Sequence, residues 1–230
     1  KIARILTTVD NLIEQTEALI EKYKSIKQGM MHDLFTRGVD SSGRLRPSYE
    51  DAPHLYKQSP LGWIPNEWDT LSLREVVSVN QGLQIAISER FRSPGPNRHL
   101  YITIQYLNNT HSEKDTFYIE ESNSSVVCDH SDILMVRTGN TGMVVTDVAG
   151  VFHNNFFKVI YDRRRAVRDF MVTHLQRQVI QKLIMDYAGT TTIPDLNHRD
   201  FYRLPFNCPP KQEQTLIMSK LNAISSCLTY

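Results

Sequence analysis

The chain lacks most of the features that mark a secreted protein, a membrane protein or an enzyme. Three cysteines occur in 230 residues, Cys128, Cys208 and Cys227, with no Cys-x-x-Cys pair. That spacing suggests neither a disulfide framework nor a thiolate zinc site, and all three are expected to be reduced thiols. No run of about 18 apolar residues is present, so no segment is expected to span a bilayer. The opening residues carry Asp10, Glu14 and Glu17 where a signal peptide would be apolar, which makes the cytoplasm the expected location. A formal net charge of +1 gives no global basic signature for a polyanionic partner, so only local clustering could supply one. No G-x-x-x-x-G-K-[ST] loop, H-E-x-x-H helix or G-x-S-x-G elbow occurs, and neither a catalytic centre nor a bound cofactor or metal is expected.

Proline and glycine are also missing from the first 28 residues, and there the absence is constructive. Ile2, Ile5, Val9, Leu12, Thr16, Leu19, Tyr23, Ile26 and Met30 recur at alternating intervals of three and four. This is the a/d seam of a coiled coil, with Thr16 as a polar a position that can fix register. A helix over residues 1–36 would be ~50 Å long, more than a small domain needs for its own core. Such a strut needs a partner helix, and the C-terminus offers one. After Pro209 and Pro210, Leu216, Ile217, Leu221, Ile224 and Leu228 follow at helical spacing. Shifting by 215 positions lays Ile2 on Ile217, Leu6 on Leu221, Val9 on Ile224 and Ile13 on Leu228, as in a portion of a longer tandem architecture.

Between the helices the pattern changes. Residues 37–59 are rich in turn formers and predict an irregular connector. Residues 60–207 predict a mixed α/β domain in which strands dominate, with runs at 101–106, 117–119, 133–136, 143–146 and 156–161 and one helix over 168–187. Residues 208–230 begin the second long helix. The expected fold class is therefore α+β: a long coiled-coil-forming N-terminal helix, a mixed α/β domain, and a C-terminal helix whose start packs antiparallel on the first.

Four stretches resemble one known family. Residues 20–38, IEKYKSIKQGMMHDLFTRG, resemble the central helix of type I restriction-modification specificity subunits. Residues 59–68, SPLGWIPNEW, resemble the lead-in to that family's target recognition domain. Residues 131–140, SDILMVRTGN, are similar to its strand and turn, with Ser131 where glycine often stands. The last stretch runs from Thr190-Thr191-Thr192-Ile193-Pro194 through Leu204-Pro205-Phe206 to Pro209-Pro210-Lys211-Gln212-Glu213-Gln214 and resembles the exit into the second helix. The resemblance implies a non-catalytic subunit that reads one half of a bipartite site on double-stranded DNA and holds modification and restriction subunits. A half-length chain of this kind would pair with a second copy of itself. S-adenosylmethionine and ATP would belong to the other subunits. A strut of suitable length would set the half-site spacing, since successive turns on one DNA face lie about 34 Å apart.

Lys and Arg are matched almost one for one by Asp and Glu between residues 60 and 206, so candidate DNA contacts must come from local groups. Arg90, Arg92 and Arg98 share a Pro/Gly loop from which guanidinium groups can reach guanine edges or phosphates; a solvated loop explains them equally. Arg137, Thr138, Asn140 and Thr141 surround a tight turn, and Asn154 and Asn155 interrupt an apolar run. Amides and hydroxyls there can bond base edges, or serve only as turn residues. Thr190, Thr191 and Thr192 follow Gly189 and could donate to a phosphate, or serve only as β-branched loop residues. Arg163, Arg164, Arg165 and Arg168 are more simply a solvated turn. Phe156, Phe157, Trp63 and Trp68 are expected in the core. The interface positions are Ile2, Ile5, Val9, Leu12, Leu19, Tyr23, Ile26, Met30, Leu221 and Ile224. Two competing readings are a coiled-coil adaptor that binds proteins without touching DNA, and an enzyme using the acidic residues of the β-rich domain.

Overall fold

A computed structural model of the chain describes residues 2–109, 112–121, 123–189 and 193–227. The elements in chain order are α1 (Ile2–Thr36), β1 (Tyr56–Ser59), β2 (Gly62–Pro65), β3 (Asp69–Ser72), β4 (Val77–Gln81), β5 (Arg98–Ile102), α2 (Ile104–Asn108), β6 (Tyr118–Glu120) and β7 (Val127–Cys128). They continue with β8 (Ile133–Val136), β9 (Val144–Val145), β10 (Gly150–Phe152), β11 (Phe156–Tyr161), α3 (Arg168–Gln176), α4 (Gln178–Ala188), α5 (His198–Tyr202), β12 (Pro205–Cys208) and α6 (Lys211–Cys227). The fold class is the expected α+β. The chain divides into two compact units, one of residues 1–69 with 209–230 and the other of residues 70–208. Residues 60–69, which the sequence groups with the globular domain, pack instead with the helices.

In the first unit, α1 is unbroken for 35 residues, with no proline and Gly29 as its single glycine, and it stops where Gly38 takes a φ of +62°. Its described side chains from Leu6 to Gln28 are all exposed. The seam residues Val9, Leu12, Leu19, Tyr23 and Ile26 thus form an open apolar stripe, with Leu12 57% exposed, while Met30 is half-buried. Thr16 turns its hydroxyl back to Leu12 O at 2.7 Å. The side chains of Ile2, Ile5 and Ile224 lie outside the described residues. Helices α1 and α6 are in contact, and Leu34, Phe35, Ile217, Met218 and Leu221 are buried. Hairpin β1–β2 pairs Tyr56 with Pro65 through Ser59 with Gly62. Trp68 is fully buried, but Trp63 is not the expected core residue: it is 40% exposed and stacks on Tyr49 with ring centroids 4.1 Å apart.

The joint of this unit is one buried carboxylate. Glu213, on the first turn of α6, accepts from both terminal nitrogens of Arg46, with Nη2 at 3.2 Å, from Trp68 Nε1 at 3.1 Å and from Val39 N at 2.9 Å. A Cβ on Gly38 would sit 2.1 Å from Glu213 Oε1 and 2.5 Å from the Trp68 ring. Glycine is therefore needed there for space as well as for φ.

The second unit is built on two four-stranded sheets, ordered β4-β11-β8-β9 and β6-β5-β10-β7. The first is antiparallel throughout, with Val159 of β11 opposite Val79 of β4 and Ile133 of β8. The second contains a parallel pair, β5 and β10. All four residues of β8 are buried, as a strand covered on both faces requires. Ile102, Cys128 and Phe152 of the second sheet meet Leu134, Val136 and Phe156 of the first in one core cluster. At about 1.5–3 kcal/mol for each large side chain buried, this cluster ties the two sheets to each other. Cys128 and Cys208 are buried, and burial pushes the Cys128 thiol up to about 11.

Two segments depart from the sequence expectation. The run at 101–106 is a strand only as far as Ile102; Thr103 then caps α2 by accepting from Tyr106 N at 3.1 Å, because a Thr hydroxyl competes for a backbone donor at that position. The helix expected over 168–187 is broken at Arg177, whose ψ of 137° separates α3 from α4. His174 of α3 is completely buried, its Nε2 donates to Pro205 O at 3.0 Å, and its ring meets Phe206 edge-on.

Two outcomes follow. Glu213→Ala leaves Arg46 and Trp68 Nε1 buried without their acceptor and should lower unfolding free energy by about 3–5 kcal/mol in chemical denaturation; a loss below about 1 kcal/mol would contradict the joint. Burial, helped by the Arg177 cation, holds His174 down to about 3 from its ordinary 6.5. A depressed base is neutral in the folded state at neutral pH, so its contribution is intact above 6.5. It is lost at about 1.4 kcal/mol per pH unit as pH falls below that, where only the unfolded chain takes up the proton. His174→Gln should therefore flatten the fall in Tm between pH 7.5 and 5; parallel slopes for the two proteins would contradict this.

Candidate nucleic-acid interface

One end of the second unit gathers four loops that are distant in sequence. The β8–β9 turn is joined to the β10–β11 turn by Arg137 N donating to Asn155 O at 2.7 Å. It is joined to segment 193–197 by Leu196 N donating to Arg137 O at 2.8 Å and by a bridge between Thr138 and Asp195. The β10–β11 turn is in turn joined to the segment after β4, where Asn154 N donates to Leu83 O at 3.0 Å and Leu83 bridges His153. Gly142, at φ +91°, closes the β8–β9 turn; a Cβ there would meet Gln181 Oε1 at 2.5 Å. Backbone bonds of this kind make the loops one rigid surface rather than four mobile ones.

The predicted residues divide by how they are held. Arg137 Nη2 lies 2.8 Å from Asp195 Oδ1, and the Thr138 hydroxyl donates to the same carboxylate. Asn140 is exposed at the tip of the turn. Thr141 is buried, with its hydroxyl donating to Pro194 O at 2.7 Å, and so supports the turn from within. Asn154 and Asn155 are half-buried, and Asn154 Nδ2 donates to Gln84 Oε1 at 3.0 Å. His153 accepts from Asn155 N at 3.2 Å through Nδ1 and is held below its ordinary pKa, first by burial and then by the Arg90 cation, so it is neutral at pH 7. Thr191 lies outside the described residues.

The second arginine group is set in its own loop. Arg90 Nη2 donates to Ile85 O at 2.7 Å, with its guanidinium 5.0 Å from the Tyr101 ring centroid. Arg92 donates to Lys114 O at 2.7 Å and lies over Phe117, and Arg98 lies over Phe91 and pairs with Glu120 at 3.2 Å. These contacts shape the 86–97 loop. Arg168 likewise donates to Ser131 O at 2.8 Å and holds a loop of its own. Sequence reasoning missed Asp195 and Gln84. Neither carries a local signal, because the partner of each is more than fifty residues away.

Among the described residues no group of three or more His, Cys, Asp or Glu could hold a metal ion, and no helix is long and apolar enough to cross a membrane. Comparison with known proteins gives the framework for this surface. Residues 65–229 match the family described as the type I restriction modification DNA specificity domain. The chain belongs to that family. It is 22% identical over 237 residues to the type I restriction enzyme MjaVIII specificity subunit of Methanocaldococcus jannaschii, a match covering 99% of this chain and 53% of that protein. The chain spans about half the length of the curated relatives it matches. In fold it is similar to the HsdS subunit of Thermoanaerobacter tengcongensis, with a TM-score of 0.60 at 14% identity over 98% of this chain and 51% of that one. A chain from a structural study of complex assembly and conformational transition in the type I R-M system gives a TM-score of 0.61 at 14% identity, over 98% of this chain and 52% of that one.

Proposed function

We propose that this chain is the DNA-reading and scaffolding part of a type I specificity subunit and performs no chemical step itself. Its second unit reads one half of a bipartite target on double-stranded DNA, and α1 provides the rail to which modification and restriction subunits, or a second copy of this chain, attach. The observation that carries the reading is the convergence of four loops into one rigid polar surface, in a chain whose residues 65–229 belong to a DNA specificity family. Exposed amide and hydroxyl groups held on such a platform suit base-edge recognition, which needs fixed donors and acceptors. Within that surface Asn140, Asn155, Arg137 and Thr138 are the contact set and Asn154 supports it, while Arg90, Arg92 and Arg98 shape the neighbouring loop and contribute positive potential to the backbone. The apolar stripe from Val9 to Ile26 supports the scaffolding role, since an exposed seam at heptad spacing calls for a partner helix. A chain that acts on DNA beside those subunits would work in the cytoplasm.

The test is a map of adenine methylation in cells that express this chain with its modification subunit, compared with cells expressing the modification subunit alone. The expected result is a new two-part motif that requires the chain. A soluble, assembled complex that adds no methylation would contradict the DNA-reading role and leave an adaptor.

A further inference from the structure

Among the exposed polar groups of the loop surface, Gln84 is distinguished by the way its amide is held. It follows Gly82, where a Cβ would lie 2.1 Å from Phe152 O and 2.4 Å from His153 O. The backbone there is pressed onto the end of β10 in a way only glycine permits. Leu83 then bonds to both sides of the β10–β11 turn, accepting from Asn154 N and donating to Phe152 O, each at 3.0 Å. Gln84 itself is exposed, and its Oε1 accepts from Asn154 Nδ2 at 3.0 Å.

The supporting residue is itself fixed. Asn154 O accepts from Gln81 Nε2 at 3.2 Å, and Asn154 Oδ1 is buried with no hydrogen-bond partner. A buried, unpaired amide oxygen is a cost to folding of the kind that concentrates at sites of function. Here it accompanies an Nδ2 directed at an exposed neighbour. Because Asn154 occupies one lone pair of Gln84 Oε1, the orientation of the Gln84 amide is set. The exposed Gln84 amide keeps a second acceptor site on Oε1 and its Nε2 donors.

An acceptor beside a donor in one plane is selective among bases. In the major groove adenine presents N7 as an acceptor next to the N6 amino donor, whereas guanine presents two acceptors, so a glutamine amide bonds adenine through two hydrogen bonds. We propose that Gln84, oriented by Asn154, reads an adenine of the half-site through the major groove. The inference rests on the reading that this surface meets DNA, and goes beyond it by naming the base and the residue.

The test uses the complex of this chain with its modification subunit. Its methylation motif is mapped for the wild type, Gln84→Ala and Gln84→Glu, and binding is measured on duplexes carrying each single-base change in the wild-type motif. Gln84→Ala should make one adenine position of the motif degenerate while the others stay specified, with discrimination at that position falling about ten- to a hundredfold. Gln84→Glu keeps the shape and removes the donor, so it should disfavour adenine at the same position. A Gln84→Ala motif unchanged at every position would overturn the inference, as would an even loss of affinity across all duplexes. A wild-type complex with no motif would overturn both this inference and the reading beneath it, whereas a wild-type motif with an unaffected Gln84→Ala motif would overturn this inference alone.

Discussion

The Glu213 carboxylate is the interaction on which the first unit depends. The chain leaves that unit after Asp69 and re-enters it at Pro209, so the helical unit must be closed by residues from both sides of a long excursion. Four donors from Val39, Arg46 and Trp68 converge on one side chain of α6. A buried ion pair contributes little net stability against an apolar substitute, but removing one member leaves charge and polar groups stranded. What the arrangement supplies is specificity of register: α6 can begin at one place only, beside Gly38, where no larger residue fits. The unpartnered part of α1 then projects from a defined root.

The second unit solves a different problem, that of presenting polar groups without letting them move. Its strands bury Ile133 to Val136 and Phe156 to Phe157 completely, and the turns at their ends inherit that rigidity. Asp195 is the electrostatic centre of the surface. It neutralises Arg137 and receives Thr138, so that guanidinium is restrained rather than free. Recognition on such a platform depends on placed amides and hydroxyls more than on bulk charge, which agrees with a net charge of only +1.

Much of this was legible in the sequence wherever the signal is local. The heptad, free of proline and of any glycine before Gly29, yields α1, the proline pair marks the start of α6, and the apolar runs at 133–136 and 156–161 are β8 and β11. Residues 20–38 and 131–140 carried the family resemblance that the comparison with known proteins bears out. The rest is hidden because its causes are nonlocal. Nothing near Thr103 shows that its hydroxyl will end a strand, and nothing near Arg177 shows that a single helix will divide in two. Trp63 has the composition of a core residue and is instead stacked, half open, on Tyr49. Asp195 and Gln84 acquire their meaning only when residues 137–138 and 154 are folded against them.

The central claim is that the surface made by residues 82–84, 137–142, 153–155 and 193–197 is the one that meets DNA. Amide hydrogen exchange of the assembled complex, with and without a duplex carrying its methylation motif, tests this most directly. The account predicts slower exchange in those four segments on binding, with the 56–65 hairpin unchanged. Protection confined to the hairpin and α1, with the four loops exchanging as in the free complex, would contradict it.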